Sequence, residues 1–314
     1  MEQQREDGAS CERLRRGTPV WVDAVHRFGS DALLLAAFCR LGAGQRACDL
    51  GSGCGIVSLC WHDAGHRGPC LAVELQPAAA ALLQRALATP CEPPAGEDPF
   101  AHAAHIVGVC ADLRTLATGP RRTLAQMAAG AQPPGAGPSA PAAPANAPAP
   151  PDGVTVTRAG ATTAVAPQSA VPSGAPLPPG AAAALAAAGL TSLWEGFDLV
   201  ACNPPYFTGG LISPKPGRGA ARHQLCCTLA DVCTTAARLL RYGGRLCLCQ
   251  RPTALPQVVA ACLGAGLQPK RLQLVRCRPT ARPWLLLLEA RRGGKEGLLW
   301  LDDLVLQPDT PFSR

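Results

Sequence analysis

A glycine turn wedged between a short apolar strand and a helix constrains this chain more than any other feature. Arg46-Ala47-Cys48-Asp49-Leu50 has the length and apolar content of a strand. Gly51-Ser52-Gly53-Cys54-Gly55 follows, and apolar residues resume over 56–61 as a helix. The unit repeats. Cys70-Leu71-Ala72-Val73-Glu74 is a second strand, and Pro77 opens an Ala/Leu-rich helix where its missing N–H costs nothing. His105-Ile106-Val107-Gly108-Val109-Cys110 is a third strand, ending near Asp112. Further on, 197–202 reads as a fourth strand, 225–240 as a helix, Gly243-Gly244 as a turn, 245–250 as a fifth strand and 256–265 as a helix. Residues 271–275 and 284–290 are two more strands with no full helix between them, which predicts an antiparallel pair closing the sheet. Ahead of the glycine turn, strong helix formers from Asp31 to Leu41 follow a good N-cap and stop at Gly42 and Gly44. The expected architecture is α/β and Rossmann-like: a seven-stranded, mostly parallel sheet with an antiparallel C-terminal strand and helices on both faces.

One domain is expected over 23–118 and 194–308, behind a polar N-terminal extension at 1–22. Between the halves, 119–193 is dominated by Ala, Pro and Gly. Prolines such as Pro133, Pro134, Pro141, Pro144 and Pro148 exclude helix or strand there, and few large apolar residues offset the entropy of ordering. A disordered insertion is expected, with a helical piece at 180–188. The same bias accounts for 33 Gly and 32 Pro in 314 residues. No C-x-x-C pair occurs among the 16 cysteines, so zinc and redox signatures are missing and no metal is expected. The thiols read as small core groups in a reducing cytoplasm. The polar start has no apolar stretch behind it, and no apolar run reaches the roughly 18 residues of a membrane span. A cytoplasmic monomer is expected. A net charge of +7 suits a phosphate-bearing partner without requiring one.

The glycine turn points to a cofactor. Gly51, Gly53 and Gly55 let the backbone turn tightly and leave no Cβ in a ligand's way. Glu74, at the end of the next strand, can accept two hydrogen bonds from a ribose diol. Those features alone fit a dinucleotide or S-adenosylmethionine. The spacing is G-x-G-x-G, and Asp49 precedes the first glycine. A carboxylate there suits the charged methionine end of S-adenosylmethionine and fits a pyrophosphate badly. Asp112 is a candidate for the adenine amino group, or simply a helix N-cap.

Asn203-Pro204-Pro205-Tyr206 ends the fourth strand, where open α/β sheets bind ligands. A conjugated exocyclic amine is a poor nucleophile, because its lone pair is delocalised. Two acceptors aimed at its N–H bonds favour the tetrahedral nitrogen that methyl transfer needs. Asn203 supplies a side-chain oxygen and Pro204 a carbonyl. Pro205 helps stiffen the loop, and Tyr206, extended by Phe207, offers a face for stacking. A Pro-rich turn without function remains the bland alternative, weakened by the glycine turn and Glu74 upstream.

These residues carry a resemblance. The core resembles class I methyltransferases of the small-methyltransferase type that bear N-P-P-Y. Within them, His26-Arg27-Phe28-Gly29-Ser30-Asp31-Ala32-Leu33-Leu34-Leu35-Ala36-Ala37-Phe38, Val200-Ala201-Cys202-Asn203-Pro204-Pro205-Tyr206-Phe207, Ala221-Arg222-His223 and Leu267-Gln268-Pro269-Lys270-Arg271-Leu272 are similar to segments of bacterial tRNA-valine adenine-37 N6-methyltransferases. The resemblance implies methylation of N6 of an adenine next to the anticodon, with Asp31 beside the cofactor's methionine end. Gln224 stands where those relatives usually carry an acid, and the Ala/Pro insertion is not a family feature. An unpaired anticodon-loop base is cheap to unstack, and Arg13, Arg15, Arg16, Arg218, Arg222, Lys270 and Arg271 are candidate phosphate contacts. Rival expectations are an enzyme for rRNA or DNA bases, one for a protein glutamine, and a non-catalytic RNA-binding relative. The glutamine enzymes generally carry a helical domain ahead of the cofactor motif, whereas 48 residues precede Asp49 here.

Overall fold

Short strands that are apolar on both faces need cover from both sides, and the computed structural model of the chain supplies it. The structure describes residues 8–92, 95, 103–116, 118, 121–129, 177–204 and 227–306. A hairpin of β1 (Ser10–Arg13) and β2 (Pro19–Val22) leads into helix α1 (Ser30–Phe38). Strand β3 (Ala47–Leu50), α2 (Ile56–Asp63), β4 (Cys70–Glu74), α3 (Pro77–Ala88) and β5 (Ile106–Cys110) then alternate. Helices α4 (Leu124–Ala128) and α5 (Pro179–Ala187) come before β6 (Phe197–Cys202). Next are α6 (Leu229–Leu239), β7 (Leu240–Gln250), α7 (Leu255–Gly264), β8 (Leu267–Arg276) and β9 (Leu285–Arg292). Two-residue strands β10 (Leu299–Trp300) and β11 (Leu304–Val305) follow.

The main sheet runs β10-β8-β9-β7-β6-β3-β4-β5, with β11 also paired to β8. Strands β5, β4, β3, β6 and β7 are mutually parallel, and β9 is antiparallel to both its neighbours, β7 and β8. This is the expected Rossmann-like α/β architecture. Seven strands make its body, and β10 and β11, too short to show a period in sequence, bring the sheet to nine. Strand residues alternate between two cores. Cys48, Leu50, Leu71, Val200 and Leu246 face α4, α5, α6 and α7. Ala47, Cys70, Leu199, Ala201 and Cys247 face the N-terminal hairpin and α1, α2 and α3.

Four expectations need correction. The stretch expected as a polar extension over 1–22 contains the hairpin: Val20, Trp21 and Val22 are buried, the Trp21 indole donates to Thr89 Oγ1 at 2.9 Å, and the Arg85 guanidinium lies 3.5 Å over its ring. Helix α1 is capped by Gly29 without a side-chain bond; Asp31 lies inside it. The fifth strand starts at Leu240 and not at Arg245, but its pairing with β6 jumps from Phe197–Leu240 to Leu199–Arg245, so 241–244 bulge out of the ladder where the glycine turn was expected, with Gly243 at a φ of 78°. Finally, the flanks of the Ala/Pro tract belong to the core. Leu124, Leu177, Leu185, Leu190 and Leu193 are buried together, and Leu124 N–H donates to the Thr191 carbonyl at 2.9 Å. The helical piece expected at 180–188 is α5; the disorder expected across the middle of the tract lies outside the described residues.

If the flanks are part of the core, truncating one of their leucines should behave as a core deletion. Leu185→Ala is expected to lower unfolding stability by about 2–5 kcal/mol, measured as a shifted urea midpoint with unchanged slope. A midpoint equal to the parent's would remove α5 from the cooperative unit.

Candidate functional site

The glycine turn joins the end of β3 to α2. Gly51, Gly53 and Gly55 have φ of 70°, 57° and 86°, a region that residues with a Cβ rarely enter. Gly55 has a second reason: a Cβ there would lie 2.4 Å from Leu83 Cδ1. At Gly51 and Gly53 a Cβ would meet no protein atom within 4 Å, so the turn borders open space. Two carboxylates brace it. Glu74 accepts the Gly53 N–H at 2.9 Å and the Gln76 N–H at 2.8 Å, one on each oxygen. Asp49 lies beneath the turn, 1% exposed, and accepts the Ser58 hydroxyl at 2.9 Å and the Ser58 N–H at 3.3 Å. Burial pushes the Asp49 carboxyl up to about 7, against the bonds from Ser58, which favour its charged form.

The turn forms one wall of a cavity of about 330 Å³ at the carboxyl ends of the parallel strands, bordered also by Glu74, Asp112, Asn203, Pro204 and His26. Asp112 caps the short 3-10 turn after β5 through the Arg114 N–H at 2.9 Å, and pairs with the Arg114 guanidinium at 2.5 Å. Burial would raise its pKa, but the Arg114 bonds outweigh that and hold it below the usual carboxylate range. On the far wall, Asn203 has both ends of its amide engaged. Its Nδ2 donates to Asp31 Oδ2 at 3.3 Å, and its Oδ1 accepts from the Cys249 thiol at 3.0 Å. A carboxylate can only accept here, which turns Nδ2 toward α1 and Oδ1 toward β7.

The structure therefore brings Gly51, Gly53, Glu74, Asp112, Asn203 and Pro204 to one cavity and sets Asp31 and Asp49 directly behind its walls. Pro205, Tyr206, Phe207, Arg218, Arg222 and Gln224 lie outside the described residues. Two proposed substrate contacts are tied elsewhere. Arg271 pairs with buried Glu289 at 3.0 Å, donates to the Phe38 carbonyl at 3.0 Å and lies 4.5 Å over the Phe38 ring. Lys270 donates to the carbonyls of Lys295 and Glu296. Of the N-terminal arginines, Arg13 pairs with Glu92 at 2.6 Å, and the Arg16 backbone is held by Asp63. His26 and Cys249 escaped assignment in the sequence. His26, whose ring contacts Asp23 at 3.0 Å and Gln76 at 3.3 Å, lies five residues before Asp31 in the same segment. Cys249 needed the register: Cys202 opposes Leu248, which sets Asn203 beside Cys249.

No family model matches the chain. Over 120 residues it is 30% identical to the tRNA1(Val) (adenine(37)-N6)-methyltransferase of two strains of Porphyromonas gingivalis, covering 38% of this chain and 47% of those proteins. The chain thus spans about half the length of the curated relatives it matches. Among solved structures it is similar to a predicted O-methyltransferase from Agrobacterium tumefaciens, with a TM-score of 0.49 and 20% identity over 88% of this chain and 86% of that one. It is also similar to the 16S rRNA N2 G1207 methyltransferase of T. thermophilus in complex with AdoMet and guanosine, with a TM-score of 0.43 and 17% identity over 91% of this chain and 51% of that one.

The raised pKa of Asp49 has a measurable sign. The unfolded carboxyl titrates near its usual value of about 4 and the folded one near 7. Between those values the folded state keeps a proton that the unfolded state has released, so this contribution to stability declines as pH rises from about 4 to about 7. Asp49→Asn is expected to remove that part of the decline, and to unfold at higher urea than the parent at pH 8. An identical stability–pH profile for the two proteins would refute the titration.

Proposed function

We propose that this chain is an S-adenosylmethionine-dependent methyltransferase that acts on an exocyclic amino nitrogen of an RNA base, with N6 of a tRNA adenine next to the anticodon as the favoured target. One observation carries the reading: the oriented amide of Asn203 at the end of β6 shares a cavity with the glycine turn and Glu74. The donor set fits the cofactor. Each Glu74 oxygen keeps acceptor capacity beyond its one backbone bond, enough for a ribose diol. Asp31 beside Asn203 places negative charge near where an ammonium group would be bound, Asp49 under the turn adds to it as it ionises around pH 7, and Asp112 is the candidate partner of the adenine amine. S-adenosylmethionine supplies an electrophilic methyl group on a sulfonium.

The protein's part in the transfer is positional and electrostatic. Asn203 Oδ1 and the Pro204 carbonyl accept the two N–H bonds of the substrate amine, and both bonds strengthen as positive charge grows on nitrogen. Tyr206 and Phe207 are proposed to stack on the base, with Arg222 toward phosphate. No general base is required, because the amine loses its proton after the methyl has moved. The relatives in Porphyromonas gingivalis support the tRNA adenine, as do the flanking segments around Asp31 and Asn203. The net charge of +7 supports a phosphate-bearing partner. A monomer in the cytoplasm remains part of this proposal; among the described residues no helix is long and apolar enough to cross a membrane.

The test incubates the protein with methyl-labelled S-adenosylmethionine and separate tRNA, rRNA, DNA and release-factor pools, then digests the product. The expected outcome is N6-methyladenosine in tRNA; label in methylglutamine would falsify the RNA reading. Asn203→Ala is expected to cut transfer by about 100-fold or more while cofactor affinity, read by calorimetry, stays within a fewfold of the parent.

A further inference from the structure

The tetrapeptide Arg-Pro-Thr-Ala occurs twice, at 251–254 and 278–281. Both copies close the same turn: the Ala254 N–H donates to the Arg251 carbonyl at 2.9 Å, and the Ala281 N–H to the Arg278 carbonyl at 3.0 Å. Proline in the second position presets the backbone for this turn. The second copy is also tied from outside, because the Arg276 guanidinium donates to the Ala281 carbonyl at 2.5 Å and pairs with Asp303. The first copy leads directly into the N-terminus of α7, whose unpaired N–H groups favour an anion.

The two turns lie on one rim. One follows the end of β7 at Gln250, and the other follows the end of β8 at Arg276. Cys202 opposes Leu248, while Gln250 and Leu274 both oppose Leu286. Both turns therefore lie beyond the level of Asn203, on the cavity side of the sheet. Strand β8 is three places from β6, which puts the outer turn roughly 14 Å to the side at ~4.8 Å per strand. Arg251, Thr253, Arg278, Thr280 and Arg282 are exposed, and no described carboxylate pairs with Arg278 or Arg282. This contrasts with Arg271, paired with buried Glu289, and with Arg276 and Arg13, which are paired with half-buried Asp303 and exposed Glu92.

We propose that the twin Arg-Pro-Thr-Ala turns, together with Arg282, form a ledge that holds RNA phosphates a few nucleotides from the target base. The proposal rests on the RNA reading above. Arginine and threonine side chains and a helix N-terminus are the groups that contact phosphates, and such contacts set register while the cavity selects the base. Rigid turns hold the arginines at a set height above the sheet, so a strand laid along them delivers one base to Asn203.

The test measures binding of a fluorescein-labelled RNA hairpin, with unpaired adenines in its loop, to the full chain by anisotropy across a salt series. Arg278→Gln/Arg282→Gln is expected to reduce the slope of log affinity against log salt by about 1.4, since each single-strand phosphate contact contributes about 0.7. Thermal midpoint and S-adenosylmethionine affinity are expected to match the parent, and Arg278→Lys/Arg282→Lys to retain most of the slope. A parent-like slope in the Gln variant, with the parent binding the hairpin, overturns the ledge and leaves the RNA reading standing. If the parent does not bind the hairpin at all, both fall.

Discussion

The bond from the Gly53 N–H to the Glu74 carboxylate is the tie on which the site depends. It crosses from the turn after β3 to the end of β4 and so fixes the relative height of two adjacent strand ends. It works with three backbone bonds, from the Gly51 and Ser52 N–H groups to the Val73 carbonyl and from the Gly55 N–H to the Ser52 carbonyl, to select one conformation for three permissive residues at positive φ. Asp49 acts from below in the same sense, joining the end of β3 to the first turn of α2 through Ser58. One carboxylate faces the cavity and the other is enclosed. Enclosure of Asp49 pushes its pKa up through desolvation.

The remainder of the molecule keeps those strand ends level. Five parallel strands place their carboxyl ends on one side, and the antiparallel insertion of β9 lets β8 end on that side too. Glu289 on β9, buried between Arg245 and Arg271 below the level of the strand ends, joins β7, β8 and β9 to the close of α1. A buried ion pair is weak evidence for net stability, but it is directional. Here it aligns α1, and α1 carries Asp31 to Asn203.

Much of this was legible in the sequence. Strand–helix alternation set the order of the elements, and the acid 19 residues beyond Gly55 identified the end of β4. What escaped had physical causes. Val20-Trp21-Val22 is too short to show a period and sits among charges, yet it folds against α3 as half of a hairpin. The leucines flanking the Ala/Pro tract are diluted by alanine, so composition hid α4 and the packing of the expected α5 into the core. Arg271 has the same side chain whether it meets a phosphate or a buried glutamate, and only the sheet register decides between them. Cys249 carries no motif at all, and its place beside Asn203 follows from pairing between β6 and β7.

The thiol on Asn203 has a consequence for exchange. In the free protein the amide oxygen is held by one of the weakest donors available to a protein, so its direction is kept without being strongly satisfied. An incoming N–H from an amine can share or take over that oxygen for little loss, whereas a serine hydroxyl or a backbone N–H in the same place would have to be outcompeted. Under the proposed function, the acceptor is thus parked under a light load until the substrate amine supplies a better donor.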